Sequence, residues 1–206
     1  MDGQVVWLCR HGERLDHVNP AFGGDDPQLS TTGIIQAKET GTRLKDEGIT
    51  RIFASPFLRT VQTAFFIAEA INVPIRIEWG LCEWLNKDWF SEKPKLRSID
   101  ALCNGFDHID PTHRSLLLPS FPEDGEQASV RAGETARRLA DAYPNESILL
   151  VGHAHSVMGM ASGLLGAPCS APCDYACLFK IVRDGKKCVV ANRGGDGSPI
   201  TQGNAA

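Results

Sequence analysis

The run Val5-Val6-Trp7-Leu8 leads straight into Cys9-Arg10-His11-Gly12-Glu13-Arg14. A short apolar run of this kind reads as a buried strand. It ends in a guanidinium, an imidazole, a glycine, a carboxylate and a second guanidinium. Four ionisable groups in five residues after a core strand are costly unless a site uses them. Charged groups at the C-terminal end of a strand suit an open α/β sheet, where ligands bind beyond that edge. Gly12 permits a sharp turn or a close backbone approach just after the imidazole.

The rest of the chain repeats strand and helix signals. Ile49 to Ala54 and Pro74 to Glu78 read as short strands. Ser147 to Val151 is the most hydrophobic strand, and it runs into Gly152-His153-Ala154-His155-Ser156. Ser30 caps a helix from Thr31 to Glu47, with Ile34, Ala37, Gly41 and Leu44 on one face and Gly48 as its stop. Ser55 at the cap and Pro56 in the first turn open a second helix, whose apolar stripe is Phe57, Val61, Ala64, Phe65, Ala68 and Ile71. Arg59 lies off that stripe, in the first turn, where an anion is favoured. Gly125 to Tyr143 reads as a helix with Val130, Ala136, Leu139 and Ala140 inward, and Ser156 to Leu165 as another. Residues 17–29 read as a loop at the rim of the site. Tyr175 to Val182 and Cys188 to Asn192 read as a hairpin turned at Asp184-Gly185.

Residues 85–124 lack periodicity and hold Trp89, Phe90, Phe106, Phe121 and four prolines. A bare loop of that length is unusual in a compact domain. The expectation is an inserted cap with short helices at 95–104 and 112–118, its aromatics forming a pocket. The 206 residues fit one domain over 1–193 and a mobile tail over 194–206.

A net charge of −4 disfavours binding to nucleic acid or anionic membrane in bulk, though local arginines can still hold a small anion. No apolar run is long enough to span a membrane, and Met1-Asp2-Gly3-Gln4, with no basic region followed by an apolar stretch, is not expected to begin a secretory signal. Seven irregularly spaced cysteines fit reduced thiols in a cytoplasmic protein. Cys169, Cys173 and Cys177 lack a nearby fourth ligand for zinc.

Arg10-His11-Gly12 resembles the signature of the histidine phosphatase superfamily, the phosphoglycerate mutase-like fold. The longer Arg10-His11-Gly12-Glu13-Arg14-Leu15-Asp16 is similar to the branch holding the suppressors of T-cell receptor signalling and the ecdysteroid-phosphate phosphatases. The run from Ser55 to Ala64 resembles the second family motif, whose arginine, here Arg59, grips the phosphoryl group. Gly80-Leu81-Cys82-Glu83-Trp84 carries a Glu-Trp pair where this branch has its proton donor. His153-Ala154-His155-Ser156 fits the branch's His-Ala-x-Ser pattern. The resemblance implies a three-layer α/β/α sandwich around a mostly parallel sheet.

It also implies a phosphomonoester hydrolase acting through a phosphohistidine on His11. Glu83 is the candidate acid, with Glu78 as fallback. Arg10, Arg14, Arg59 and His153 are candidates to hold the phosphoryl group, because arginine's fork matches phosphate oxygens. Arg14 has an alternative role in a rim ion pair with Glu13 or Asp16. Nearby arginines should keep His11 neutral, with one ring nitrogen donating to a backbone carbonyl. No cofactor or metal is called for, since the arginines supply the positive charge. His155 reads as a residue of the following helix, and His108 and His113 as cap residues within reach of substrate. Two other readings stay open: a phosphoglycerate mutase, although Leu81-Cys82-Glu83-Trp84-Leu85 lacks that group's Asn-Glu-Arg stretch, and a non-catalytic phosphate-binding signalling domain. The partner expected is a small-molecule or protein phosphomonoester, and edge strands are compatible with a homodimer.

Overall fold

A computed structural model describes residues 3–184 and 187–194 of the chain. The strands are β1 (Gln4–Arg10), β2 (Ile49–Ala54), β3 (Ile75–Ile77), β4 (Ser147–Gly152), β5 (Leu178–Asp184) and β6 (Lys187–Gly194). The helices are α1 (Leu15–Val18), α2 (Thr31–Leu44), α3 (Leu58–Ile71), α4 (Ile99–Gly105), α5 (Gly125–Ala142) and α6 (Ala154–Leu165). The six strands form one sheet in the order β3-β2-β4-β1-β5-β6. β3, β2, β4 and β1 are mutually parallel, and β5 and β6 complete the sheet in antiparallel sense.

The central strands are apolar on both faces, as a sheet covered on both sides requires. Trp7, Cys9, Leu149 and Val151 point to one side, where Leu44 of α2 and Val61, Ala64 and Ala68 of α3 meet them. Val6, Leu8, Ile148 and Leu150 point to the other, against Ala132, Ala136 and Leu139 of α5 and Val157, Met160 and Ala161 of α6. The expected three-layer arrangement is therefore present. Among the described residues no helix is long and apolar enough to cross a membrane.

Several local expectations are corrected. Residues 17–29 are not wholly loop: α1 reaches Val18, and a 3-10 turn covers Pro20–Phe22. The second helix starts at Leu58 with Phe57 at its cap position, so Ser55 is not the cap. Val130 is 63% exposed; the buried face of α5 instead runs through Ala128, Arg131, Ala132, Thr135, Ala136, Leu139 and Ala140. Of the two cap helices only α4 forms. Residues 112–118 are irregular because side chains take their backbone partners: Leu116 N donates to the Glu78 carboxylate at 3.0 and 3.1 Å, and Thr112 N donates to Asp110 at 2.9 Å. The final strand pair starts at Leu178, not Tyr175. Cys173 and Cys177 are paired as a disulfide, contrary to the expectation of reduced thiols throughout. The expected turn at Gly185 and the tail beyond Gly194 lie outside the described residues.

Candidate active site

The sheet itself brings the two histidines together. Arg10 of β1 pairs with Gly152 of β4 in parallel register, and His11 and His153 each stand one residue further on. His11 N donates to Gly152 O at 3.0 Å, and the imidazole centroids are 5.3 Å apart. β2 ends on the other side of β4, where Ser55 N donates to Val151 O at 3.0 Å. Three adjacent strand ends thus deliver His11, His153 and Ser55 to one edge, the edge where α/β sheets bind ligands.

Backbone packing holds the first of these ends in place. Gly12 N donates to Thr63 Oγ1 at 3.1 Å, and a β-carbon on Gly12 would lie 2.5 Å from the Gly33 carbonyl oxygen. A β-carbon on Gly33 would overlap the Glu13 carbonyl oxygen in turn. The close approach expected at Gly12 is therefore an approach to the backbone of α2. Glu13 serves that contact, accepting from Ser30 Oγ at 2.6 Å, while Ser30 accepts from Gly33 N and caps α2.

His11 is 2% exposed, and its Nδ1 lies 2.7 Å from Gly12 O. A carbonyl only accepts, so Nδ1 carries the proton and Nε2 presents a lone pair. Burial, followed by the charge of Arg59 and then the Gly12 hydrogen bond acting in the opposite sense, sets the ring's pKa well below the ordinary imidazole value. Burial, more than the charge of the arginines, keeps the ring neutral. His153 is fully buried and is held neutral in the same way, first by burial and then by Arg59.

Arg59, in the first turn of α3, is 2% exposed and lies 4.4 Å over the Phe57 ring. Its Nη2 is 3.5 Å from Glu83 Oε2, while Nε and Nη1 are buried with no hydrogen-bond partner among the described residues. Glu83 Oε2 also lies 3.3 Å from His153 Nδ1. Arg10 donates to Cys173 O at 2.7 Å and lies 4.3 Å over the ring of Tyr175. Arg14 forks onto Asp16 at 2.9 and 2.5 Å, which is the anticipated rim pair. It nevertheless lines the same cleft as Arg10, Arg59, Glu83, Trp89, Phe90 and His155, a space of about 410 Å³. His11 and His153 do not line that cleft; both are buried.

Other candidates sit elsewhere. Glu78 is buried and occupied by Gly80 N, Leu116 N and His113 Nε2. His108 packs on Phe65. His155 is in α6 as expected, with Nε2 2.8 Å from Gly125 O and 3.0 Å from Ser129 Oγ, and its ring lies against Trp84. Burial pushes the thiols of Cys9 and Cys82 up to about 12, so neither is a thiolate at neutral pH. Among the described residues no three His, Cys, Asp or Glu side chains form a group that could hold a metal ion.

Two residues near the site went unnoticed in the sequence. Tyr175 packs on Arg10 and lies 5.7 Å from the His11 ring. Arg131 donates to Gly80 O, Cys82 O and Glu83 O at 2.8, 3.2 and 3.2 Å, and pairs with Glu123. The signal for Arg131 was its place between Ala128 and Thr135 on the small-residue face of α5.

The family model described as histidine phosphatase superfamily (branch 1) matches residues 6–194. The human protein named ubiquitin-associated and SH3 domain-containing protein A is 32% identical over 169 residues, 76% of this chain. The chain spans only 25% of that relative's length. A phosphoglycerate mutase from Schizosaccharomyces pombe is 30% identical, over 79% of this chain and 80% of its own. A solved structure of ecdysone phosphate phosphatase from Bombix mori, in complex with tungstate, superimposes with a TM-score of 0.77 at 19% identity, covering 98% of this chain and 96% of that one.

Proposed function

The chain belongs to the histidine phosphatase superfamily, and we propose that it hydrolyses phosphomonoesters through a phosphohistidine on His11. The observation that carries the proposal is Arg59: a guanidinium 2% exposed, with two nitrogens lacking any partner, beside a neutral imidazole with a free lone pair. Burying unpaired donors of this kind is costly, and a phosphoryl dianion would satisfy them.

In this scheme Arg10, Arg14 and Arg59 hold the phosphoryl oxygens, and His153, buried beside them, orients Glu83. His11 Nε2 attacks phosphorus in line and the P–O bond to the leaving group breaks. Glu83 gives its proton to the departing oxygen. Water then loses a proton to Glu83 and attacks phosphorus, the N–P bond breaks, and His11 is regenerated. The guanidiniums stabilise charge on the equatorial oxygens in both steps. Trp89 and Phe90, from the irregular segment 85–124, line the cleft and suit an aryl or bulky apolar leaving group.

A mutase is the second reading, favoured by the fission yeast relative. The sequence Leu81-Cys82-Glu83-Trp84-Leu85 argues for hydrolysis. The test is release of inorganic phosphate from p-nitrophenyl phosphate, with and without a glycerate acceptor. We expect release to water, an acid-labile phosphoenzyme on rapid quenching, and a loss of at least about 10³-fold in folded His11→Ala. Transfer to glycerate in place of release would establish the mutase, and full turnover by His11→Ala would remove His11 as nucleophile.

A further inference from the structure

We propose that Ser55 is a positioning residue: its hydroxyl donates to Nε2 of His153 and anchors the ring as the Nδ1–H tautomer that Glu83 and Arg59 select, which confines the exchangeable proton of Glu83 to Oε1. The inference rests on Glu83 being the acid of the proposed reaction.

Ser55 is fully buried, and its Oγ lies 2.8 Å from His153 Nε2. The serine cannot move off this partner cheaply. Its amide is held by Val151 O at 3.0 Å, and its carbonyl accepts from Thr60 Oγ1 at 2.8 Å. The other ring nitrogen, Nδ1, faces Glu83 Oε2 at 3.3 Å, without the alignment of a full hydrogen bond.

A neutral imidazole has one proton for two nitrogens, which leaves two arrangements. In one, Ser55 donates, Nε2 accepts, and Nδ1–H points at Oε2. In the other, Nε2–H donates to Ser55, and a nitrogen lone pair confronts Oε2. The second is repulsive unless Oε2 carries the proton. Arg59 Nη2, 3.5 Å from the same oxygen, opposes a proton there. The first arrangement therefore prevails whether Glu83 is a carboxylate or an acid. It leaves the proton to Oε1, which among the described residues otherwise accepts only from Trp84 N at 3.0 Å and can still do so as a hydroxyl oxygen. The burial that keeps His153 neutral supports this, because an imidazolium would have no tautomer to choose.

The test is nitrogen NMR of the full chain carrying ¹⁵N-histidine, with His153 assigned by loss of its signals in His153→Gln. We expect a protonated, pyrrole-type Nδ1 and an unprotonated, pyridine-type Nε2. The reverse pattern overturns the proposal whether or not the protein hydrolyses anything, which separates this failure from failure of the proposed reaction. In folded Ser55→Ala the tautomer should persist, because Glu83 and Arg59 select it, while the Nε2 signal moves to that of an imidazole nitrogen with no hydrogen-bond donor. kcat on a poor-leaving-group ester should fall about tenfold, part of the roughly 10²–10⁴ that a positioned acid supplies, with KM nearly unchanged. Ser55→Thr should restore both. An unchanged Nε2 signal and kcat in folded Ser55→Ala would overturn the proposal. If that variant does not fold, the wild-type tautomer alone decides.

Discussion

Arg131 and Glu123 form a buried ion pair against the loop that carries Glu83. The guanidinium also holds the carbonyls of Gly80, Cys82 and Glu83, while Glu123 takes Leu85 N at 3.3 Å and, through its own carbonyl, Trp84 Nε1 at 2.8 Å. Arg131 thus fixes the path of the chain on both sides of the candidate acid.

Removing one member of such a pair strands the other charge. Arg131→Met should cost about 3–5 kcal/mol by urea denaturation, and the double variant Arg131→Met/Glu123→Met should recover part of that. A loss under about 1 kcal/mol in the single variant would mean that the pair does not hold the loop.

Gly33 is a helical position where alanine should ordinarily gain about 1 kcal/mol. Here the added β-carbon meets the carbonyl of Glu13 in the segment following His11. Gly33→Ala is expected to destabilise the fold and to lower kcat together, because the backbone carrying the proposed nucleophile, His11, must shift. A more stable and fully active variant would show that the two backbones have room to part.

Glu83→Gln keeps the shape of the acid but not its proton. Esters with poor leaving groups should slow by roughly 10²-fold or more, while p-nitrophenyl phosphate, whose leaving group needs little help, should slow much less. Equal slowing of both would assign the acid elsewhere.

His11 and His153 are buried neutral, with pKa values below that of the unfolded chain. As pH falls through the unfolded value near 6.5, the unfolded chain takes up protons that the native one refuses. Stability is then lost on acidification, by about 1.4 kcal/mol per pH unit per imidazole, until the lower native values are reached. Denaturation midpoints at pH 7.5 and 5.5 measure this, and His153→Gln should flatten the slope. Protonation of His11 also removes its lone pair, so kcat should fall at acid pH, below the ordinary imidazole range.

The strand ends were legible because apolar runs stopping at Arg10-His11 and Gly152-His153 have few other readings. Arg59 was legible for its place in the first turn of a helix. Ser55 was misread as a cap because Ser-Pro is a common helix opening; here the hydroxyl turns to a histidine 98 residues away, which no local pattern encodes. Val130 was misplaced because hydrophobicity was allowed to choose the inward face of α5, when small residues line it. The helix expected over 112–118 does not form, since the buried carboxylate of Glu78 organises that segment across the fold.

The 5.3 Å between the two imidazoles is inherited from the sheet, where neighbouring strands lie about 4.8 Å apart. Because both rings follow directly on paired residues, the interval is independent of every connection between strands. Insertions at 17–29 or 85–124 would re-clothe the mouth of the cleft and leave that interval alone. The surface offered to a ligand can therefore drift by loop exchange, while the histidine pair stays as stiff as the ladder that spaces it.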